Sequence, residues 1–513
     1  MKLKALLKSI IDLHKSNKRI PDIEITSIHY HAQDVKKGGL FVAIPGLVVD
    51  AHDYIDEAVK RGAVAVISQK PINSDTIGIR VNNSRKALAA VSGQFFGNPS
   101  EKLCVIGITG TNGKTTTAYL VENILLAAGF TVGVIGTINR RYKGKIIESK
   151  ITTPESLDLQ RILKEMLHAG VTHVVMEVSS HAIDLCRVEN CSFDVGVFTN
   201  LTRDHLDYHK NMELYWDCKK SFFKENLTFS SKKDKTVAVV NSDNKWGKDL
   251  LKSITIPFIS VGYSQNDMVK PKSYSLDSSG VWGQIDCLGN TFDFKSSLVG
   301  EHNLENILCA VGVGKAIKLP EYAIKKGIKR DLVVPGRLEK VSNDNGRSVF
   351  IDYAHTPDAL EKVLLSLKPL TKRRIICVFG CGGDRDISKR PQMGEIACRF
   401  SNLAIITSDN PRTEPPEQII EQILTGVNKS ELHLYKAGEL KRGFQEHGYV
   451  VEADRKKAIK LGIGAANVDD IILIAGKGHE NYQIVGDKRA PFDDKNVAYN
   501  ALIDIKGSKI AYG

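Results

Sequence analysis

The segment Gly110-Thr111-Asn112-Gly113-Lys114-Thr115-Thr116 combines glycines, a lysine and hydroxyl side chains in the manner of a phosphate-binding loop. Glycines let backbone N–H groups turn toward one point, and a following helix adds positive potential there. Lys114 can reach the β- and γ-phosphates of a nucleotide, and the Thr115 hydroxyl can bind Mg²⁺. A glycine is usual at position 108, where this chain has Ile108. The pattern predicts a bound nucleotide without choosing among ATPases, GTPases, kinases and ligases; the alternative is a glycine-rich turn that binds nothing.

A second candidate for chemistry is the tetrapeptide Asp409-Asn410-Pro411-Arg412. The planar guanidinium of Arg412 matches a carboxylate in shape and charge. Asn-Pro is also a turn signal, so the alternative is an ordinary turn after the apolar run 403–409.

Alternating strand and helix patterns predict an α/β fold with parallel sheets. An apolar run at 103–109 precedes the phosphate loop, and a helical pattern at 115–129 follows it and ends at Gly129. Alternation near 270–298 predicts antiparallel strands appended to this core. Other strands are predicted at 38–46, 63–69, 131–137, 173–180, 193–201, 348–354, 375–381, 403–409 and 471–478.

The length of 513 residues predicts about three domains. We expect a small N-terminal α/β domain at 1–100, a central P-loop-type parallel sheet with helices at 101–332, and a C-terminal Rossmann-like α/β domain at 333–513. The turn residues of the segment 92–102 predict a linker.

Composition narrows the class of protein. Hydrophobic residues make up 42% and charged residues 25%, as in soluble globular proteins. The net charge of +12 fits a polyanionic substrate or merely a lysine-rich surface. Because no dense basic block with interleaved aromatic residues occurs, nucleic acid is not an expected partner.

The expected location is the cytoplasm. Nine scattered cysteines without a CxxC pair indicate reduced thiols and argue against a zinc site. Lys8, Asp12 and Lys15 interrupt the N-terminal apolar pattern, which predicts an amphipathic helix rather than a signal peptide. No stretch reaches the roughly 18 apolar residues that a membrane span needs. We also expect a monomer.

The phosphate loop belongs to a longer series of motifs that resembles the Mur ligase family, which includes the folate polyglutamate ligases. The matches run in order over nearly the whole chain: TGTNGKTT (109–116), TTP (152–154), EVSSH (177–181), TNLTRDHLDYH (199–209), NLENILCA (303–310), PGRLE (335–339), DYAHTPDAL (352–360), GCGGDRD (380–386), DNPR (409–412) and GKGHE (476–480).

The resemblance implies an ATP-dependent ligase of cell-wall precursor synthesis. ATP would phosphorylate the D-glutamate side-chain carboxylate of UDP-N-acetylmuramoyl-L-Ala-D-Glu, and an amino acid would displace phosphate from the acyl phosphate. It implies ATP and Mg²⁺ as cofactors. The catalytic residues would be Lys114, Glu177, His205 and Lys219.

The resemblance also assigns roles around the nucleotide. Thr115, Glu177, His205 and Lys219 would hold Mg²⁺, with Lys219 as a carbamate formed with CO₂ (N6-carboxylysine). This modification needs a neutral amine, and hence a lowered lysine pKa. Glu177 and His205 are both expected at strand ends. ATP would contact residues 110–116 together with Asn303, Arg337 and Asp352, with His355 beside them.

For the sugar-peptide substrate the resemblance implies contacts from Ile28, Tyr30, Thr152, Thr153, Ser179, Leu185 and Arg187. Several positions depart from the family pattern. Tyr30 replaces a serine, Leu47-Val48-Val49 a more polar trio, Ile151 an asparagine and Leu185 a glutamine.

For the added amino acid it implies contacts from Arg385, Asp409, Asn410, Pro411, Arg412, Gly476 and Glu480. An unpaired buried Arg412 would reject lysine, which lacks the second carboxylate of meso-diaminopimelate. Glu480 could pair with the distal ammonium group. We therefore expect meso-diaminopimelate, with L-lysine as the alternative. From another class, an ATP-binding switch protein would explain the phosphate loop but not the other motifs.

Overall fold

The computed structural model describes residues 1–10, 21–46, 49–72, 76–228, 230–277, 279–343, 346–428 and 431–510. Its elements form three α/β units, each with its own largely parallel sheet, so the predicted fold class is confirmed. Residues 11–20, part of the predicted N-terminal helix, lie outside the described residues. In the part of the chain that is described, no helix is long and apolar enough to cross a bilayer.

The first unit is a four-stranded parallel sheet covered by helices on both faces. Core residues from α1 and α3 pack against one face of the sheet, and residues of α2 pack against the other. The order is β1-β2-β3-β4. The strands are β1 (Ser27–His29), β2 (Gly39–Val42), β3 (Ala63–Ser68) and β4 (Ile77–Arg80); the helices are α1 (Leu3–Leu7), α2 (Ile55–Lys60) and α3 (Ser84–Phe96), with 3-10 turns at Lys8–Ile10, Ala32–Asp34 and Ala51–Tyr54.

The segment 92–102, predicted to be a linker, is largely helical. Helix α3 continues to Phe96, and α4 (Pro99–Lys102) follows after only Gly97 and Asn98. Both of these residues have positive φ, +77° and +47°, which turns the chain sharply. Ser100 is buried and accepts a hydrogen bond from the Ser192 backbone N–H, at 3.0 Å. The turn residues therefore mark a packed break between two helices.

The second unit is an 11-stranded sheet in the order β15-β14-β13-β12-β11-β10-β5-β9-β6-β7-β8. Its centre is parallel, and the antiparallel strands predicted near 270–298 are confirmed at one edge. The strands are β5 (Cys104–Thr109), β6 (Val132–Ile135), β7 (Asn139–Tyr142), β8 (Lys145–Glu148), β9 (His173–Glu177), β10 (Val195–Phe198), β11 (Val237–Asn241), β12 (Phe258–Val261), β13 (Val269–Asp277), β14 (Gly280–Cys287) and β15 (Asn290–Ser296).

Helices cover both faces of this sheet and enclose two apolar cores. The first of these helices follows the phosphate loop directly. Gly129, with φ +87°, lies just past the end of this helix, as predicted. The helices are α5 (Lys114–Ala127), α6 (Ser156–His168), α7 (Ser180–Asp184), α8 (Leu206–His209), α9 (Met212–Ser221), continued by a π-helical segment (Phe222–Leu227), α10 (Lys245–Ser253), α11 (Glu301–Ala316) and α12 (Glu321–Lys329).

The third unit is a seven-stranded sheet in the order β16-β17-β22-β18-β19-β21-β20, with a separate hairpin β23-β24. All pairs in the sheet are parallel except β16 with β17. The strands are β16 (Glu339–Val341), β17 (Ser348–Asp352), β18 (Ile375–Phe379), β19 (Leu403–Ile406), β20 (His433–Leu434), β21 (Gly448–Val451), β22 (Ile471–Ala475), β23 (Tyr482–Val485) and β24 (Lys488–Pro491); the helices are α13 (Pro357–Leu367), α14 (Lys389–Phe400), α15 (Pro416–Leu424), α16 (Arg455–Ala465) and α17 (Asp494–Ile510), with 3-10 turns at Lys368–Leu370 and Glu439–Arg442.

Candidate active site

The phosphate loop connects the buried strand β5 to helix α5. Gly110 and Gly113 have φ values of +145° and +85°, which other residues rarely adopt. A Cβ at residue 113 would lie 2.3 Å from Asn306 Oδ1 on α11. Lys114 Nζ donates to the carbonyls of Gly110 and Thr111, at 2.9 and 2.7 Å. Burial lowers the pKa of Lys114, so a phosphate that replaced these carbonyls would meet a poorly hydrated ammonium group.

Glu177 ends β9 beside the loop and is only 2% exposed. Its carboxylate accepts hydrogen bonds from the Thr115 hydroxyl (3.0 and 3.1 Å), the Thr137 N–H (2.9 Å) and the Thr137 hydroxyl (2.9 Å). Strands β5 and β9 are adjacent, which brings Thr115 and Glu177 together. All these contacts come from neutral donors, so the carboxylate keeps its full negative charge available.

Thr115 and Glu177 suit Mg²⁺, which prefers hard oxygen ligands. Among the described residues, no group of three or more His, Cys, Asp and Glu side chains could hold a metal ion without help. Mg²⁺ typically binds through one or two protein oxygens together with phosphate oxygens and water. The donor set therefore fits an ion that arrives with a nucleotide.

The prediction that His205 ends a strand was wrong. Strand β10 ends at Phe198, and His205 caps α8 with a φ of +53°. Its Nε2 lies 3.4 Å from Asp204 Oδ2, and burial lowers the pKa of His205 to about 3. A neutral imidazole can accept from a proton donor or bind a metal ion, so the structure is compatible with its predicted role. Asp204, like His205, lines the cavity between the second and third units that is described below. It stands in the motif at 199–209, although the sequence interpretation did not single it out.

Lys219 lies on α9, as expected, and its side chain is buried beneath the phosphate loop, 1% exposed. Nζ donates to the Gly110 carbonyl at 3.0 Å. Burial, and then the charge of Lys114, lower the pKa of Lys219 to about 7. The next residue, Lys220, points elsewhere and pairs with Asp249 at 2.7 Å. The lowered pKa of Lys219 therefore favours the neutral amine that carbamate formation requires.

A cavity of about 220 Å³ joins the second and third units. The phosphate loop, Glu177 and His205 line one wall, and residues from β17 and α13 line the other. Asn112 Nδ2 crosses between the units and donates to Asp358 Oδ2 at 3.0 Å. The lining residues are 111–116, Thr137, Thr152, Glu177, Ser179, Asn200, Asp204, His205, His302, Glu305, Asn306, Arg337, Asp352, Tyr353, Ala354, His355, Ala359, Lys362 and Val363.

Asn303 stands one layer behind the cavity wall. Its side chain donates to the Val299 carbonyl at 2.7 Å and accepts from Asn306 Nδ2 at 3.0 Å. Asn306, together with His302 and Glu305, forms the wall itself. These three residues lie in or beside the motif at 303–310. Their spacing of three and four residues places all of them on the face of α11 that lines the cavity.

Arg337 and Asp352, both expected to contact ATP, line the cavity from the third unit. The Arg337 guanidinium lies over the Tyr353 ring, 4.4 Å from its centre. Asp352 accepts from the backbone N–H groups of Leu338 and Ala354, at 2.7 and 2.8 Å, and burial raises its pKa. Asp352 therefore fixes the loop that carries Arg337.

Four of the predicted sugar-peptide residues form a ledge beside Glu177. Thr152 and Ser179 line the cavity, and Thr153 Oγ1 donates to the Glu177 carbonyl at 2.8 Å. Arg187 Nη1 donates to the Thr153 carbonyl at 3.3 Å. Arg187 also lies 3.5 Å from Glu155, which pairs with Arg85 of the first unit at 2.9 Å, so this ledge extends from the phosphate loop to the first unit.

The remaining predicted sugar-peptide contacts lie farther from the cavity. The Tyr30 hydroxyl donates to Asp158 at 2.7 Å and so links the first two units. Ile28 and Leu185 are buried, and Ile28 packs in the first unit's core. Leu47 and Val48 lie outside the described residues.

The predicted amino-acid residues gather where β18, β19 and β22 end. Asn410 Nδ2 donates to Glu480 at 2.8 Å, and Lys477, which the sequence interpretation did not single out, donates to both, at 3.0 and 3.2 Å. Arg412 Nη1 donates to the Gly383 carbonyl at 2.6 Å. Asp409 Oδ2 is buried and has no hydrogen-bond partner among the described residues; it lies 2.6 Å from where a Gly476 Cβ would stand. The cluster presents a carboxylate and a guanidinium to a ligand.

This cluster does not line the phosphate-loop cavity, but it lies next to it. Tyr353, which does line the cavity, is close enough to Glu480 and Asp409 for their charges to raise its pKa further, after the effect of burial. Arg385 approaches Arg412 closely enough to lower the pKa of Arg412, again after burial. A ligand bound at the cluster would therefore reach the cavity past Tyr353.

Three family models match the chain. They describe the Mur ligase family, catalytic domain (residues 24–96), the Mur ligase middle domain (108–314) and the Mur ligase glutamate ligase domain (336–478). The UDP-N-acetylmuramoyl-L-alanyl-D-glutamate–2,6-diaminopimelate ligase of Geobacter metallireducens is 47% identical over 92% of this chain and 93% of its own length. The ligase of that name from Clostridium perfringens is 40% identical over 98% and 99%.

Solved structures give the same picture of the fold. A structure of a UDP-N-acetylmuramoyl-L-alanyl-D-glutamate–2,6-diaminopimelate ligase superposes with a TM-score of 0.69 at 27% identity, covering 99% of this chain and 100% of the other. The MurF ligase of Thermotoga maritima in complex with ADP shares the fold, with a TM-score of 0.61 at 19% identity, covering 96% and 100%.

Proposed function

This chain belongs to the Mur ligase family, and from that premise we propose that it adds meso-2,6-diaminopimelate to UDP-N-acetylmuramoyl-L-Ala-D-Glu with hydrolysis of ATP, in peptidoglycan precursor synthesis. The observation that carries the proposal is that Lys114, Glu177, Thr152, Ser179 and residues of the third unit line one cavity. We propose domain limits of 1–100, 101–332 and 333–513, for the sugar nucleotide, ATP and the amino acid respectively.

The proposed reaction has two steps. A D-glutamate carboxylate oxygen attacks the γ-phosphorus of ATP, ADP leaves, and an acyl phosphate forms. The amine nitrogen of the amino acid then attacks the acyl carbon, phosphate leaves with its bonding electrons, and the nitrogen loses a proton. Activation is needed because a carboxylate is a poor electrophile, and the protein contributes position and charge neutralisation.

Lys114, Arg337 and the loop N–H groups would neutralise the transferring phosphoryl group. Thr115 and Glu177 would hold Mg²⁺, with His205 and a carbamate on Lys219 as further ligands. The ion would supply Lewis-acid stabilisation of charge on phosphate oxygens. The burial and the lowered pKa of Lys219 support this role, because a carbamate formed on its neutral amine would place an anion under the loop.

The amino-acid preference rests on Arg412 and Asp409. Diaminopimelate carries a second carboxylate and a second amine beyond the reacting end, and the cluster offers both charge types. Glu480 already pairs with Lys477 and Asn410. We therefore propose that Asp409, whose buried Oδ2 has no hydrogen-bond partner in the part of the chain that the structure describes, receives an ammonium group. Lysine would leave Arg412 without its counter-charge.

The proposed function is tested with the purified full chain, ATP, Mg²⁺ and the UDP-linked dipeptide. Each of meso-diaminopimelate, L-lysine and L-glutamate is supplied in turn. Phosphate release is followed, and the mass of the product is measured by mass spectrometry. We expect turnover and a product heavier by one diaminopimelate residue, with lysine at least about 100-fold poorer in kcat/KM. Equal turnover with lysine would reject the substrate preference, and phosphate release without ligation would reject the ligase itself.

A pH dependence follows from the lowered pKa of Lys219, about 7. Below that pH the amine is protonated and cannot react with CO₂; above it the amine is neutral and can. We expect CO₂-depleted protein to regain activity on adding CO₂, with a midpoint near pH 7 when dissolved CO₂ is held constant. Reactivation that keeps rising beyond about pH 9 would indicate an ordinary exposed lysine, whose pKa lies near 10.4.

We also propose that the protein acts as a monomer in the cytoplasm. Its nine cysteines are all unpaired, which suits a reducing compartment.

A further inference from the structure

An ion pair between Arg455 and Asp494 is buried behind the amino-acid cluster. Both side chains are 0% exposed. Arg455 Nε donates to Asp494 Oδ1 at 2.8 Å and Nη2 donates to Oδ2 at 2.6 Å, a two-pronged pairing. Arg455 begins α16 and Asp494 begins α17, so the pair joins the starts of two helices.

The guanidinium also reaches the ends of two strands. Nη2 donates to the Ala475 carbonyl at 2.9 Å, and Nη1 makes a longer contact with the Ser408 carbonyl at 3.5 Å. These carbonyls directly precede Gly476 and Asp409. Strand β18 separates β19 from β22 in the sheet, so Arg455 links two strand ends that share no ladder.

We propose that Arg455 and Asp494 are positioning residues that hold these two strand ends at the spacing the incoming amino acid requires. The inference rests on the proposed function of the cluster and extends it to residues behind the cluster. Neither residue touches the substrate; they act through Asp409 and Gly476.

Two arguments, one general and one from the structure, favour a positioning role over a purely stabilising one. Buried ion pairs often add little stability compared with apolar residues of the same volume, because desolvation offsets the attraction. The Asp409 carboxylate also lies directly against Gly476, since a Cβ at residue 476 would stand 2.6 Å from Asp409 Oδ2. A small outward shift of either end would therefore change the separation of the groups that bind the amino acid.

A second buried pair in the same sheet provides a matched control. Arg374 Nη2 lies 2.7 Å from Asp470 Oδ2, with Arg374 16% and Asp470 0% exposed. This pair adjoins the start of β22, since the Arg374 carbonyl accepts from the Ile471 N–H at 2.9 Å. A five-residue strand, roughly 16 Å long, separates it from the end that carries the site.

The test compares Arg455→Lys with Arg374→Lys in the full chain. The Arg374 pairing is also two-pronged, since its Nε donates to Asp470 Oδ1 at 3.3 Å. Each variant therefore loses the two-pronged geometry and keeps the charge. Phosphate release gives KM for meso-diaminopimelate, ATP and the UDP-linked dipeptide, and thermal unfolding gives Tm. We expect Arg455→Lys to raise KM for diaminopimelate about tenfold, as for one lost charged hydrogen bond, while the other two KM values stay within about twofold. Arg374→Lys is expected to lower Tm and leave all three KM values in place.

An unchanged diaminopimelate KM in folded Arg455→Lys would overturn the proposal, as would an equal rise in all three KM values or an equal effect of Arg374→Lys. If Arg455→Lys does not fold, Asp494→Asn and its control Asp470→Asn, which keep the side-chain shape, take the same measurements, and the same outcomes support or overturn the proposal. The unmodified protein is assayed first: failure to ligate diaminopimelate there would reject the proposed function, whereas failure confined to the variants rejects only the positioning role.

Discussion

Lys219→Ala is expected to slow phosphate release by about 10²- to 10³-fold, the range for losing one preorganised charged group from an active site. The side chain is buried under the phosphate loop, and its Nζ contacts the Gly110 carbonyl, so little else can take its place. Steady-state kcat with saturating ATP is the measurement. Short-chain carboxylic acids should restore part of the activity, because a free carboxylate can occupy the space of the lost carbamate.

Lys220→Ala is the control for this variant. It is the next residue on the same helix, carries the same charge and pairs with Asp249 away from the loop. We expect its kcat within about twofold of the unmodified protein, as for most substitutions outside a site. Full activity of Lys219→Ala would remove this residue from the mechanism, and an equal loss in both variants would point to damage to α9.

The second large effect is expected for Arg412→Gly, which should raise KM for meso-diaminopimelate about 100-fold, as for an uncompensated buried charge on the ligand. Arg412 has a φ of +52°, a conformation that costs a non-glycine residue about 1 kcal/mol. Glycine adopts it freely, so this substitution removes the guanidinium while relieving the backbone. Loss of binding then cannot come from a distorted loop.

Arg412→Ala, which keeps the backbone cost, should show the same KM and a Tm no higher than that of Arg412→Gly. KM for ATP should stay constant in both variants. If Arg412→Gly binds diaminopimelate normally, or if lysine becomes no better relative to diaminopimelate, the guanidinium does not select the second carboxylate.

The sequence was most informative where function depends on a short contiguous segment. The phosphate loop needs a strand, a turn with positive φ and a helix start in immediate succession, and its residues specify all three. Burial of Glu177 could also be anticipated, since it ends an apolar run.

Contacts between distant segments were beyond the sequence. Asn303 and Asn306 lie in one motif and bond to each other, and which of them forms the cavity wall depends on how α11 packs against α5. Arg455 and Asp494 are 39 residues apart, and an Arg or Asp at a helix start looks like an ordinary capping or surface residue. The turn residues at 97–98 predict a linker but not that it is packed and helical, because the packing of Ser100 against Ser192 leaves no local mark in the sequence.

Gly113, which has no side chain, couples the phosphate-binding turn to Asn306 on α11. Since Asn306 fills the space where a Cβ of residue 113 would stand, the phosphate-binding turn and the start of α11 pack as one unit. Neither position can drift in evolution unless the other compensates, although the two residues lie on different elements. A substitution that moves the side chain of residue 306 would therefore alter the phosphate-binding turn as well.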